Sequence, residues 1–170
     1  LETVRHQVVM LRRPRHHVFT HPVIGDVPNG FSARPDLGDV TLVATGETEH
    51  AAPEDYNQGV DMSAVAQVTA GLVSRMPGMG DSIFRGGWSG LFTTTPDWHP
   101  IIDAVPGIDG LYVAAGFSGH GFKLATMVGV TMAEMVVDGA ASSVDVTGLS
   151  LGRFEDGALL GSRYGMRVLA

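Results

Sequence analysis

Residues 110–139 read GLYVAAGFSGHGFKLATMVGVTMAEMVVDG, and this stretch decides the fold. Residues 111–115 form a short unbroken apolar run, the pattern of a strand buried on both faces. Three glycines follow at once in Gly116-Phe117-Ser118-Gly119-His120-Gly121, a turn in which backbone N–H groups can approach a ligand that a Cβ would hold away. From Gly121 onward the small residues Gly121, Ala125, Gly129 and Ala133 recur at every fourth position. This smooth ridge predicts a helix that can lie close to a flat neighbour, with Leu124, Met127, Val128, Met132, Met135 and Val136 as its apolar bulk.

A helix that starts in a glycine turn after a strand presents partial positive charge beyond the strand's carboxyl end. An electron-rich ligand suits that place. The glycine order is G-x-x-G-x-G rather than the G-x-G-x-x-G of a dinucleotide fingerprint, so the spacing does not point to pyrophosphate. Lys123 stands in the first turn, where the helix dipole disfavours a cation by roughly 0.3–1 kcal/mol, so an anionic partner is expected for it.

The other residues are consistent with a soluble globular piece that has one good core, or one or two small domains. The 170 residues are 44% hydrophobic and contain no cysteine, which excludes disulfides and cysteine-ligated metals. Eleven basic against eighteen acidic residues give a net charge of −7, which argues against nucleic acid as a partner. No run of about 18 apolar residues and no signal-peptide pattern occurs, so no membrane association is expected and a cytoplasmic location is.

From the start, residues 4–11 are strand-like and Arg12-Arg13-Pro14 ends the run. His17 and His21 have the spacing of a metal-binding pair, but Val18-Phe19-Thr20 favours a strand, in which positions four apart lie about 13 Å from each other. The expectation is no metal. Pro28-Asn29-Gly30 and residues 35–39 are turns that separate strands at 31–34 and 40–44, an antiparallel meander. Met62, Val65, Ala66, Thr69, Leu72, Val73 and Met76 then define one face of a packing helix stopped by Pro77-Gly78.

Residues 83–95, IFRGGWSGLFTTT, form a long extended segment with glycines at 86, 87 and 90. Those glycines are either bulges in an exposed strand or places where a broad ring approaches the backbone. His99 reads as a loop histidine bonded locally, and residues 100–103 as a returning strand. After Gly139 the pattern weakens, and Arg153-Phe154-Glu155 can start a short helix or a tail. Residues 163–167 suggest no chemistry.

AAGFSGHGFK, together with TPDWHPII upstream, resembles the C-terminal flavin-binding segment of the FAD-dependent amine oxidoreductases of the D-amino-acid oxidase type, the group of sarcosine oxidase, glycine oxidase and dimethylglycine dehydrogenase. The resemblance covers about residues 4–170 and corresponds to the second half of such a protein. It implies an α/β (α+β) fold divided into three parts. Residues 1–82 would belong to a mostly antiparallel substrate-domain sheet with a packing helix, residues 83–139 to the C-terminal part of a Rossmann-like FAD-binding domain, and residues 140–170 to a tail. An N-terminal FAD-binding half would hold the ADP portion, and this chain alone would be inactive.

The resemblance also assigns residues. Gly87, Gly90 and Leu91 would lie beside the flavin ring, and Gly116, Phe117, Ser118, Gly119, His120, Gly121, Phe122 and Lys123 would form the turn against it. The position of the cysteine that tethers flavin in monomeric sarcosine oxidases is taken by Gly90, which implies non-covalent FAD. Lys123 would bind a substrate carboxylate, shared with an arginine from the N-terminal half, or else Lys123 and His120 would favour the anionic reduced flavin. Glu47 stands where sarcosine oxidases carry a histidine; it is either substrate-facing or a solvated strand end. The implied activity is oxidation of the C–N bond of a small amine or amino acid. The competing readings are a non-catalytic binding module and a half-subunit that works with a separate FAD-binding chain.

Overall fold

The computed structural model describes residues 1–16, 20–46 and 49–161. His17 and Glu47, and residues 163–167, therefore lie outside the described residues. The chain divides into two compact units. One contains residues 4–91 and the other residues 1–3 and 92–161, so the division falls within two long strands, β1 (Glu2–Arg12) and β6 (Ile83–Thr94).

The first unit is built on an antiparallel sheet. Strand β1 pairs with β4 (Val40–Thr45), Val9 opposite Val43 and Leu11 opposite Thr41, and with the short β5 (Glu49–His50). Strand β4 pairs with β3 (Phe31–Pro35), and β3 with β2 (Ile24–Asp26), which is the expected meander; β6 pairs with β1. Alternation along β1 and β3 places Val9, Leu11, Phe31 and Ala33 on the face covered by helix α1 (Met62–Arg75). The helix answers with Val65, Val68 and Leu72, and Met79 from the following 3-10 turn closes the cluster. Met62, which the periodicity assigned to the packed face, is exposed because it occupies the first helical position.

The second unit contains a two-stranded antiparallel ribbon, β7 (Ile101–Ala104) and β8 (Tyr112–Ala115), with Ile101 opposite Ala115. Helix α2 (Gly121–Asp138) packs on both strands. Strand β8 is only half-buried, not buried on both faces as its apolar run implied; it pairs with β7 in a two-stranded ribbon, and α2 packs on it. Only Thr131 and Met135 of α2 are buried; Phe122 is 99% exposed and Val137 79%. The tail runs through 3-10 turns at Thr147–Leu149 and Leu151–Phe154, and Gly139, with φ of +83°, caps the helix.

Candidate functional site

The head of α2 is built by backbone that few residues adopt. Gly116, Ser118 and Gly119 have φ of +67°, +50° and +85°, and Ser118 does so without being glycine, fully buried. Two hydrogen bonds hold it there: its N–H donates to the Thr93 carbonyl at 3.0 Å and its hydroxyl to the Gly116 carbonyl at 3.2 Å. Left-handed backbone of this kind costs on the order of 1–3 kcal/mol and persists where its surroundings over-determine it. The turn ends with the His120 N–H donating to the Phe117 carbonyl, directly before the helix.

Among the described residues no side-chain capping bond is made at the N-terminus of α2, and no acidic residue stands in its first turn. Its positive end therefore has no carboxylate of its own element to answer it. Lys123 Nζ lies 3.0 Å from His120 Nδ1, so the two residues named from the sequence do meet. Burial, then the charge of Lys123, then His99, pushes the His120 imidazole below its ordinary range. A neutral imidazole accepts at Nδ1, so Lys123 is the donor and the proton of His120 sits on Nε2. The arrangement is an exposed ammonium, aimed by a half-buried imidazole, at the positive end of a helix. It can engage a carboxylate or a ring that gains negative charge.

Gly87, Gly90 and Leu91 belong to the other unit, on β6. The structure gives Gly87 an internal reason to lack a side chain, because a Cβ there would collide with the Val8 carbonyl and Val60. Among the described residues nothing lies within 4 Å of the place a Cβ on Gly90 would take, so its face is open there. Such open backbone leaves room for a flat group, which the filled surroundings of Gly87 do not.

Two other polar centres are occupied by the protein itself. Arg5, 3% exposed, bonds Glu49 at 2.5 Å and Asp61 at 2.6 Å, and also donates to the Gly59 and Asn57 carbonyls and to Ser89. Its charge is spent inside the first unit. Of the histidine pair, His21 has both ring nitrogens engaged, one with the Pro22 carbonyl at 2.7 Å and one with the Thr41 hydroxyl at 2.9 Å. His99 is the locally bonded loop histidine that the sequence suggested, with Nδ1 2.7 Å from the Asp97 carbonyl.

Sequence reasoning missed the buried pair behind the turn, Asp97 and Arg153. Arg153 donates to Asp97 from Nε at 2.8 Å and Nη2 at 3.0 Å, in a stretch that had looked like a tail. The Thr95–His99 spacing of T-P-D-W-H carried a turn signal for Asp97, but nothing around Arg153 marked it as buried.

A family model described as FAD dependent oxidoreductase matches residues 1–135. N-methyl-L-tryptophan oxidase of Escherichia coli O157:H7 is 32% identical over 136 residues, 77% of this chain and 36% of that protein. Monomeric sarcosine oxidase of Bacillus sp. strain NS-129 is 40% identical over 82 residues, 48% of this chain and 21% of that protein. Among solved structures, L-proline dehydrogenase from P. horikoshii is similar in fold, with a TM-score of 0.81 and 24% identity over 94% of this chain and 41% of that one. The chain spans about a third or less of the length of the curated relatives it matches.

Proposed function

Because this chain belongs to the FAD dependent oxidoreductase family, we propose that it contributes the ring-facing part of an enzyme that oxidises the C–N bond of a small amino acid bearing a primary or N-alkylated amine. The observation that carries this reading is the Lys123–His120 pair at the uncapped head of α2. The names of two relatives, N-methyl-L-tryptophan oxidase and sarcosine oxidase, support an amino acid with a substituted nitrogen.

FAD, when bound, supplies the acceptor for a hydride leaving the carbon beside the amine nitrogen. This chain's residues do the rest by position and charge. Lys123 takes the substrate carboxylate in a charge-assisted hydrogen bond, which fixes the amino acid by its least reactive end. His120, neutral, keeps the ammonium from wandering. The amides at the start of α2 would favour negative charge gained by a ring bound beside them, through preorganised dipoles. We further propose that polypeptide additional to these 170 residues holds the ADP half of FAD, and that the cofactor is bound without a covalent tether.

The test is anaerobic mixing of the complete protein with N-methyl amino acids. Bleaching of the flavin's visible band supports amine oxidation, and a flavin that stays oxidised with every amino acid tried contradicts it. Acid precipitation should leave the flavin in the supernatant, whereas flavin in the pellet contradicts the non-covalent claim.

A further inference from the structure

The turn at the head of α2 rests on a second strained turn, and a buried ion pair ties that second turn down. Asp97, 0% exposed, accepts from Arg153 on both carboxylate oxygens, from the His99 N–H at 3.1 Å and from the Leu160 N–H at 3.2 Å. The Thr95 hydroxyl lies 3.0 Å from Asp97 Oδ1 and 2.8 Å from the His99 carbonyl, and its single proton serves one of them at a time. Arg153, 2% exposed, also donates to the His99 carbonyl at 2.7 Å and to the Ser150 carbonyl at 3.0 Å, with its guanidinium 4.0 Å from the Phe154 ring centre. Inside this ring of bonds Trp98 holds φ of +59°, the other non-glycine residue of the described chain with positive φ besides Ser118. A bulky residue does not keep that conformation unless its neighbours impose it.

The two strained turns touch. A Cβ on Gly116 would stand 2.5 Å from the Thr95 Cγ2 and 2.9 Å from the Leu1 Cδ2, so the Thr95 methyl group, with Leu1 beside it, fills the space that Gly116 leaves empty. Ser118 bonds the Thr93 carbonyl two residues earlier in the same strand end. His99 is also among the groups that push the His120 imidazole below its ordinary range.

We infer that the Asp97–Arg153 pair is a positioning device for the Gly116–Lys123 turn, acting through Thr95 to fix where the α2 amides and the Lys123–His120 pair stand. Both residues are buried away from solvent. The inference rests on the proposed flavin-facing role of that turn, and the experiment separates the two. The chemistry explains why a buried pair serves better than apolar packing here. A planar guanidinium and a carboxylate fix direction as well as distance, which a core of methyl groups does not.

The experiment uses the complete, flavin-loaded protein and three variants. Thr95→Ser keeps the hydroxyl bonds and deletes only the methyl group against Gly116, so it is expected to fold. Arg153→Lys keeps the charge and loses the fork, while Leu72→Ala, in the core of the other unit, serves as a control that lowers stability without touching the turn. Thr95→Ser and Arg153→Lys are expected to shift the flavin's visible spectrum, lower its reduction potential and slow anaerobic reduction on the order of tenfold at saturating substrate. Leu72→Ala should lower the melting temperature and leave spectrum, potential and rate unchanged. If the two turn variants change melting temperature alone, the positioning role is overturned while the flavin reading stands. If the wild-type protein carries no flavin, the reading beneath it falls, and the inference with it.

Discussion

Asp97 shows at the level of one residue how the protein trades charge for direction. Burial alone would push its carboxyl up, but Arg153, the N–H groups of His99 and Leu160 and the Thr95 hydroxyl hold it well below the usual carboxylate range. A carboxyl depressed in the folded state contributes stability that is complete above its unfolded pKa and is lost as pH falls through the folded value. Acid unfolding should therefore begin below about pH 4, the ordinary carboxylate range, and Asp97→Asn should flatten that part of the profile. Asp97→Asn leaves Arg153 as an unpaired buried cation and should cost about 3–5 kcal/mol in urea denaturation at neutral pH. A loss under about 1 kcal/mol would show that Arg153 escapes to solvent in the variant. The sequence drew attention to Lys123 because a cation in a first helical turn is a local anomaly, and to His120 only through the family resemblance. Arg153 was not legible, because burial of a charge depends on a partner 56 positions away, and no local pattern reports it.

Strand β6 separates two kinds of glycine that look alike in the sequence. Gly87 is excluded from bearing a side chain by the Val8 carbonyl, a backbone atom that cannot step aside, whereas Gly90 faces open space. Gly87→Ala is expected to destabilise the protein by about 1–3 kcal/mol through overpacking. Gly90→Ala should change stability by no more than about 0.5 kcal/mol yet weaken flavin binding, as read by fluorescence titration of the complete protein. Unchanged affinity would remove Gly90 from the ring face. Helix α2 carries another element-scale expectation at its far end, where Glu134 accepts from the Ser142 and Ser143 N–H groups and from the Ser143 hydroxyl. Those bonds depress its carboxyl to about 2, so the loop after Gly139 should keep slow amide exchange at pH 5 and lose it as pH falls from about 4 toward 2. The meander, α1 and the strand–turn–helix order were legible from periodicity and turn residues. The half-buried state of β8 was not, since an apolar run states what can be buried and not what is present to bury it.

The molecule as a whole presents an apolar surface on α2, where Met127, Val130 and Val137 are exposed along one side with Phe122 at its head. Exposed apolar faces of this kind drive association. The 170 residues alone should sediment above monomer mass and bind FAD weakly, and V130S/V137S should raise the monomer fraction; a monodisperse wild-type chain that binds FAD tightly and stoichiometrically in calorimetry would contradict the proposal that further polypeptide holds the ADP half. Family membership extends over residues 1–135, and what it leaves to be settled is which group meets the substrate. Lys123→Met keeps the stem and removes the charge, so stopped-flow reduction of the complete protein by a carboxylated amine, against an otherwise similar amine lacking the carboxylate, isolates that group. The expected result is weaker binding of the carboxylated amine by about 1.5–3 kcal/mol with little change for the other. An unchanged reductive half-reaction with the carboxylated amine, and slowed reoxidation instead, would contradict substrate binding by Lys123 and assign its charge to the reduced flavin.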